Sequence, residues 1–541
     1  YSEIRPKGAA LRLGGLAPGH EPLKKALTLV HQILDRVANC CPPDCCTASC
    51  GEDQDQAQDQ AQDQASCCDE DCCLPRLKPI DAFDITMHLA DAVISGGIRR
   101  SATIAVFSVD DTEMINAKTG NWFIDNPQRG RANISAMLLP TTPKDKYDSL
   151  FSSTKQFGEP GFIFSTSTEY LYNPCVEIGM CPTLIKLDGS TVQTYTPELL
   201  DHSSRSDFLS KGYTFQSGWQ ACNLSTINCS LISTEDEFLE AVTHAATLGT
   251  LQAGYNKFPF LGAITEQIVR RESLLGVSMT GILANPMFYT PEVLQKGKLR
   301  ALLTNKVLSE QIGIPQASRI TCVKPEGTAS IVLGTSAGIH PYHAKKYIRR
   351  VQADMLEPLY QEVERTHPEA CDKSVWGADT QRVIAFPCEA PADALVKADL
   401  TALQHLHLAK LVNLHWVRDS TDLNRCHDLQ HNVSITVSVS QDEWEDVQDY
   451  IWENRAYFTG ISLLGSSGDY DYQQAPYSEV HDNPDPSDPN YAEKIKVRDL
   501  YYLLSTLPEI DMKVQEDKDN TDVMGESACG GGACDLPYQI D

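Results

Sequence analysis

The sequence predicts an α/β fold, and three stretches carry that expectation. Residues 434–439 alternate as a strand and run into Ser440-Gln441-Asp442-Glu443, the pattern of a capping box at a helix start. Residues 444–455 then place Val447, Ile451 and several aromatic residues at near-helical spacing, and 457–464 has the profile of a second buried strand. Strand, helix and strand with short joints predict a parallel crossover unit. A helix over 264–275 followed by a strand over 276–283 repeats the helix-to-strand step, and 101–109 and 161–165 read as further strands. From residue 496 the character changes. The sequence is acidic, loses apolar periodicity after Leu507 and ends in Cys529-Gly530-Gly531-Gly532-Ala533-Cys534, which predicts a mobile tail bearing a dithiol.

Composition narrows the function. The chain has 541 residues, 42% of them hydrophobic, enough for a large core or two domains. A net charge of −28 argues against duplex nucleic acid as a partner, because such a partner needs a basic face. Small anionic ligands stay open, since loops and helix termini bind them locally. No apolar run reaches membrane-spanning length, and residues 1–15 show no signal-peptide pattern. Nine of the 19 cysteines fall between Cys40 and Cys73 and the rest are scattered, which suits a reducing, cytoplasmic setting with thiols kept for chemistry or metal.

The segment 40–73 stands apart. Cys40-Cys41-Pro42-Pro43-Asp44-Cys45-Cys46 and Cys67-Cys68-Asp69-Glu70-Asp71-Cys72-Cys73 flank a Gln/Asp/Ala tract over 55–65 that has almost nothing to bury. Paired Cys-Cys blocks are able to hold a soft metal, but they lack the usual Cys-x2-Cys clips. A surface insertion with incidental thiols is the reading preferred over a metal clip.

Two runs carry chemistry. Asn173-Pro174-Cys175-Val176-Glu177 sets a thiol between an amide and a carboxylate. In an extended loop, residues two apart face the same way, so Asn173, Cys175 and Glu177 are expected to line one surface. Such a trio combines nucleophilic or one-electron chemistry at sulfur with acid–base chemistry beside it. The bland alternative is a buried cysteine after a turn opener. Thr321-Cys322-Val323-Lys324-Pro325-Glu326-Gly327-Thr328-Ala329-Ser330 reads as a strand, a Pro/Gly turn and a short helix. Open N–H groups there, with the hydroxyls of Thr328 and Ser330, make a candidate phosphate cradle. The Gly-rich continuation 334–341 suggests close backbone approach, and His340 reads as a packed loop histidine.

In order along the chain, these runs resemble ribonucleotide reductases, specifically the adenosylcobalamin-dependent class II enzymes of the monomeric triphosphate-reductase type. The resemblance rests on Ser95-Gly96-Gly97-Ile98-Arg99-Arg100-Ser101, Asn126-Pro127-Gln128-Arg129-Gly130-Arg131, 173–178 and Ala221-Cys222-Asn223-Leu224. It continues through Gly276-Val277-Ser278-Met279-Thr280-Gly281, the 324–341 stretch, Glu453-Asn454-Arg455 with Gly460-Ile461-Ser462, and the terminal Cys529-x4-Cys534. It covers nearly the whole chain except the cysteine-rich segment.

The resemblance implies a ten-stranded α/β barrel with a radical cysteine on a finger loop inside it. It implies Cys175 as the thiyl radical site, Glu177 as the base for the 3′-hydroxyl and Asn173 as a holder of the sugar hydroxyls. Cys222 would be one member of the active-site redox pair, Cys529 and Cys534 the tail pair that re-reduces it and hands the oxidation to thioredoxin or a similar reductant. Gly327, Thr328, Ala329 and Ser330 would cradle the phosphates of a ribonucleoside triphosphate. The organisation expected is a catalytic barrel portion over 1–500, an insertion over 40–73 within it, and a tail over 501–541.

The family's other redox cysteine and much of its effector-binding half precede the region that this sequence resembles. A C-terminal portion of such an enzyme is therefore expected: a split-gene product working with a separate N-terminal half, a piece left by an intein arrangement, or an incomplete gene model. Cys181 competes with Cys222, but Cys222-Asn223-Leu224 favours Cys222. No Asp-x-His-x-x-Gly run occurs, which is compatible with cobalamin bound with its own base retained, and no protein metal ligand set is assigned. Tyr501-Tyr502 is similar to the tyrosine pair of diiron-dependent class I large subunits but is read as an ordinary surface pair, because the surrounding sequence does not otherwise follow that class; such a large subunit is the alternative within enzymes. An inactive fragment acting as a Cys-rich metal-binding or interaction module is the alternative outside them.

Overall fold

The computed structural model describes residues 2–9, 17–38, 76–95, 98–99, 101–355, 357–375, 381–420, 426, 428–466, 468–470 and 474–510. The cysteine-rich segment 40–73 and the tail residues Cys529 and Cys534 lie outside the described residues. The backbone divides into two units. The smaller holds α1 (Glu21–Ala38), α2 (Pro79–Asp91) and Gly120–Arg131. Ion pairs knit it: Arg36 reaches Asp81 at 2.6 Å, Arg129 grips buried Asp84 through Nε and Nη2 at 2.9 and 2.8 Å, and Arg131 meets Asp91 at 2.6 Å. The 126–131 run that carried part of the resemblance is thus a structural strap within this unit.

The larger unit is built on strands β1 (Thr103–Ser108), β2 (Ala132–Leu138), β3 (Gly161–Phe164), β4 (Asn223–Asn228), β5 (Leu275–Thr280), β6 (Thr436–Val439) and β7 (Gly460–Gly465). The first three pair in parallel. β3 then meets β7 antiparallel, and β7 runs parallel to β6. Parallel bridges carry the pairing on, from Val433 to Val323 and from Thr321 to Val277 in β5, which lies parallel to β4. Eight extended segments are therefore joined in one run, three parallel and then five parallel, with one antiparallel seam. The expected strands are all present, with ends within three residues of those expected.

The helices follow their apolar stripes. In α3 (Lys144–Phe157), Tyr147, Leu150, Phe151 and Thr154 are buried at helical spacing, and Gly158 closes the helix in the left-handed conformation. The aromatic side chains stack across elements: Tyr147 lies 5.2 Å from Trp452 and Phe151 lies 5.8 Å from Phe162 of β3. This seats α3 and the helix that carries Trp452 over the seam. α4 (Glu235–Ala253) opens with a capping box, Thr234 Oγ1 accepting from Glu237 N and Glu237 Oε2 accepting from Thr234 N. It covers β4 and β5, the latter buried at all six residues, and α6 (Pro291–Ile312) packs against α4. α5 (Gly262–Glu272) enters β5 directly, as expected; α7 (Ala402–Val412) packs on β6, and α8 (Trp444–Glu453) packs against α7 and α3. The crossover β6–α8–β7 is parallel. Its predicted capping box is half formed: Glu443 Oε2 accepts from Ser440 N, but the Ser440 hydroxyl caps nothing.

A four-stranded antiparallel sheet went unread in the sequence. It aligns Cys371–Lys373, Gln381–Glu389, Lys346–Asp354 and Tyr477–Glu479 in that order. α9 (Tyr491–Ser505) packs on it, burying Val497, Tyr501 and Leu504. Residues 501–505, expected in the tail, are instead the last turns of this helix. Tyr501 is buried there, while the Tyr502 hydroxyl bonds Asp482 and Lys346, so the pair is not the surface pair expected. Among the described residues no helix is long and apolar enough to cross a membrane.

A small hairpin, Leu171–Tyr172 antiparallel to Gly179–Met180, leans on the strand run. A Cβ at Gly179 would stand 2.3 Å from the Gln430 carbonyl oxygen and 2.9 Å from Leu429. Backbone cannot yield cheaply, so Gly179→Ala is expected to cost about 1–3 kcal/mol. At Gly130 the added Cβ meets only Trp122 at 3.7 Å. Gly130→Ala should shift stability by less than about 0.5 kcal/mol. Equilibrium denaturation of the two variants checks the contrast, and equal losses would contradict it.

Candidate active site

The Asn173–Glu177 run sits at the hairpin tip, and its geometry corrects the expected extended loop. Val176 N donates to Asn173 O at 2.8 Å, closing a tight turn, and Val176 lies at φ 61°. Left-handed backbone breaks the period of two. Cys175 is therefore exposed while Glu177 is only 2% exposed. Asn173 and Glu177 stay together: Asn173 Oδ1 accepts from Ile178 N at 2.9 Å, and its amide bonds the Glu177 carboxylate.

The tip is clamped from the far end of the chain. Asn432 N donates to Glu177 O at 3.0 Å, Asn432 Nδ2 donates to Gly460 O at 3.0 Å, and Asn432 O accepts from Val323 N at 3.0 Å. Gly460 leaves room for Val176, whose Cγ1 would lie 2.5 Å from a Cβ placed there. His431 Nδ1 accepts from Gly179 N at 3.1 Å and its Nε2 donates to Leu275 O at 2.7 Å. Burial, with help from Arg319, pushes this imidazole down to about 3, so it serves as a neutral bridge.

Below the tip lies a buried ionic knot. Glu272 is bonded by Arg319 and, at 3.0 Å, by Arg271. Arg319 Nε also donates to Gly179 O at 3.1 Å, and Arg271 donates to the carbonyls of Thr183 and Cys181 at 2.7 and 2.5 Å. Burial opposes ionisation of Glu272, but the two guanidinium groups outweigh it and hold the carboxyl below its usual range. Cys181, the competitor to Cys222, is fully buried here and bonded to Cys426.

Glu177 faces a cluster of thiols and charges. Its Oε2 is buried without a hydrogen-bond partner among the described residues. Burial pushes its carboxyl above the usual range, against the opposing pull of Asn173, its own backbone and Lys324. Cys222, half-buried at the start of β4, is pushed up to about 12 by burial and then by the Glu177 charge. Cys322 is fully buried, and burial followed by the same carboxylate drives its thiol upward too. Lys324 Nζ lies 3.2 Å from Glu326 Oε2, whose other oxygen accepts from Thr226 of β4. Lys324 N donates to Ser278 of β5 at 2.9 Å.

The candidate cradle follows immediately. Backbone N–H groups of Gly327, Thr328 and Ala329 make no hydrogen bond among the described residues, but that of Ser330 is taken by Glu326 O. The Ser330 hydroxyl turns back to Gly327 O at 3.3 Å. Three of the four expected N–H donors are thus open at the turn before the short helix Ala329–Val332. Gly338 shows the close approach foreseen for its loop, since a Cβ there would lie 2.5 Å from Lys324 O. His340 is a packed histidine that accepts from Thr436 N at 3.1 Å.

Several participants escaped the sequence reading. Asn432, His431, Glu272 and Arg319 act by bonds to distant backbone, and no local pattern marks them. Glu326, in an otherwise turn-like Pro-Glu-Gly, occupies φ 57°, which a non-glycine residue gives no reason to expect.

No protein-family model matches the chain. Searches against characterised proteins do find relatives. The adenosylcobalamin-dependent ribonucleoside-triphosphate reductase of Lactobacillus acidophilus is 21% identical over 99% of this chain and 65% of its own length. The probable adenosylcobalamin-dependent ribonucleoside-triphosphate reductase of Dictyostelium discoideum is 23% identical over 89% of this chain and 55% of its own. The chain is a homologue of the class II ribonucleotide reductases. A crystal structure of a B12-dependent class II ribonucleotide reductase superposes on this homologue with a TM-score of 0.62 at 17% identity, covering 94% of this chain and 65% of that one. The homologue thus spans a little under two thirds of the relatives with which it aligns over nearly its full length.

The raised Glu177 carboxyl fixes a sign for stability. The folded state holds the proton more tightly than the unfolded state, so Glu177 lowers stability as pH rises from the ordinary carboxyl range through its higher folded value. Glu177→Gln should flatten that part of the profile, giving a gain over wild type near pH 7 that vanishes below about pH 4. Thermal unfolding across pH 3.5–8 measures it. A variant profile parallel to wild type would contradict the assignment.

Proposed function

We propose that this chain supplies the radical loop and catalytic thiols of a class II ribonucleotide reductase acting on ribonucleoside triphosphates. The observation that carries the reading is Glu177. It is a buried carboxyl whose proton affinity burial raises, with an oxygen that has no hydrogen-bond partner among the described residues, close to the Asn173 amide and the Cys222 thiol. A carboxyl so placed is suited to accept a hydroxyl proton from a ligand.

In this reading the Cys175 thiyl takes the hydrogen atom from ribose C3′ and Glu177 takes the proton of the 3′-hydroxyl, with Asn173 holding the sugar hydroxyls. The 2′-hydroxyl departs as water on receiving a thiol proton. Cys222 and a partner thiol supply two electrons and close a disulfide, and Cys175 returns its hydrogen to C3′. Cys529 and Cys534 reopen that disulfide by exchange and pass the oxidation to thioredoxin or a similar dithiol. The turn at Gly327, Thr328, Ala329 and Ser330 takes the phosphates, with its open N–H groups as donors.

Adenosylcobalamin fits this site in one respect: Cys175 is the exposed thiol of the tip, within reach of an outside radical source, while Glu177 and Cys322 are buried. When bound, the cofactor supplies the carbon radical that removes the thiol hydrogen. The eight paired segments take the place of eight strands of the expected ten-stranded barrel, with the hairpin as its finger loop. Two further strands between β1 and β4 would close the barrel and shield the sulfur.

The test is deoxyribonucleotide formation from a ribonucleoside triphosphate by the reconstituted enzyme, with and without adenosylcobalamin. Product should depend on the cofactor and need no diiron protein. Cys175→Ser should abolish product and leave nucleotide binding within about twofold; turnover by that variant ends the radical assignment. Cys529→Ser with Cys534→Ser should give about one product per prereduced enzyme and no multiple turnover with thioredoxin. Full turnover by the double variant would remove the tail from the cycle.

A further inference from the structure

Beyond the Gly327–Ser330 turn a cavity of about 300 Å³ opens between that turn, the ends of β6 and β7, and the four-stranded antiparallel sheet. Gly327 and Ser330 form one side of it, and Arg349, Lys397 and Ser336 form others. The volume is at the small end for a ligand pocket, too little for a corrin and ample for part of a nucleotide.

Three features of the lining are unspent. Ser336 is 94% buried by its 6% exposure, and its Oγ has no hydrogen-bond partner among the described residues. A buried hydroxyl left this way is destabilising unless a ligand or water satisfies it. Arg349 and Lys397 are half-buried, and neither is paired with a carboxylate among the described residues. Arg349 rests instead on the Tyr477 ring, 5.6 Å from its centroid. Two cations without an ion-pair partner among the described residues, lining one cavity, are unusual in a chain of net charge −28.

The other titratable groups leave that positive balance standing. Asp469 faces the cavity, but its Oδ2 is bound by His343 Nε2 at 2.8 Å and by Glu479 N at 2.6 Å. His340 and His405 are buried, and burial keeps both imidazoles neutral. Tyr347 and Tyr342 complete the lining. A guanidinium, an ammonium and a spare hydroxyl facing one small space match the oxygens of a phosphate group, with arginine giving the bidentate contact.

We propose that this cavity receives the terminal phosphate of a nucleoside triphosphate whose inner phosphates lie on the Gly327–Ser330 turn, and that Arg349, Lys397 and Ser336 thereby favour triphosphates over diphosphates. The proposal rests on the reading of that turn as the phosphate cradle. It assigns the preference for a third phosphate to side chains of the antiparallel sheet and its neighbouring loops, outside the strand run that carries the thiols.

Equilibrium binding of CTP, CDP and inorganic tripolyphosphate to the full chain tests it, in wild type and in Arg349→Gln, Lys397→Gln and Ser336→Ala. Ser336→Ala removes one oxygen and guards against a folding artefact. The expected result is a loss of about tenfold or more in CTP and tripolyphosphate affinity for either charge variant, a smaller loss in the same direction for Ser336→Ala, and CDP affinity unchanged. If both nucleotides bind and the variants alter them equally or not at all, the cavity assignment is overturned and the cradle survives. If neither nucleotide binds the wild-type chain, the cradle reading falls and takes this proposal with it.

Discussion

The buried pair of arginines around Glu272 is the constraint on which the site depends. Arg319 and Arg271 neutralise that carboxylate and also bind the carbonyls of Gly179, Cys181 and Thr183, the backbone that leaves the hairpin. Burying three charges is expensive, and such a knot persists only when further hydrogen bonds support it. Here other donors of the two guanidinium groups are spent on the hairpin and the backbone that follows it. Removing Glu272 would leave two unpaired guanidinium groups in the interior, and the hairpin would lose its foot along with the salt bridge.

From that foot the order passes outward through hydrogen bonds. His431 and Asn432 tie Gly179 and Glu177 to β5, to the 321–323 segment and to the start of β7. The thiols and carboxylates then take their character from burial. Glu177 resists ionisation and Cys222 resists losing its proton, for the same reason: little water reaches either. A carboxyl with raised proton affinity beside a thiol that holds its proton is a proton-handling pair, set up by packing and requiring no unusual residue.

The crossover from 436 to 465 was legible because an amphipathic helix between two apolar strands has a strong periodic signal. Asn173, Glu177 and Cys222 were legible as neighbours through the resemblance, and the chain does bring them to one place. Their relative orientation was not. Val176 is β-branched and gives no hint of a left-handed turn, so alternation put Cys175 and Glu177 on the same face when they lie on different ones. The antiparallel seam between β3 and β7 joins residues about three hundred positions apart, and no short-range pattern encodes such a pairing. The four-stranded antiparallel sheet was hidden for a related reason, since its register is set by partners far away in sequence.

Val176 and Gly460 carry one more consequence. A valine at positive φ is a bent spring, stable only while its surroundings hold it, and what holds it is the missing side chain of Gly460. The sulfur next door therefore takes its coordinates from a notch in a strand nearly three hundred residues later. A change in that notch would leave the thiol chemically intact yet displaced, altering the aim of the reagent without touching its reactivity. The hairpin works as a gauge, and the sheet is the ruler against which it is set.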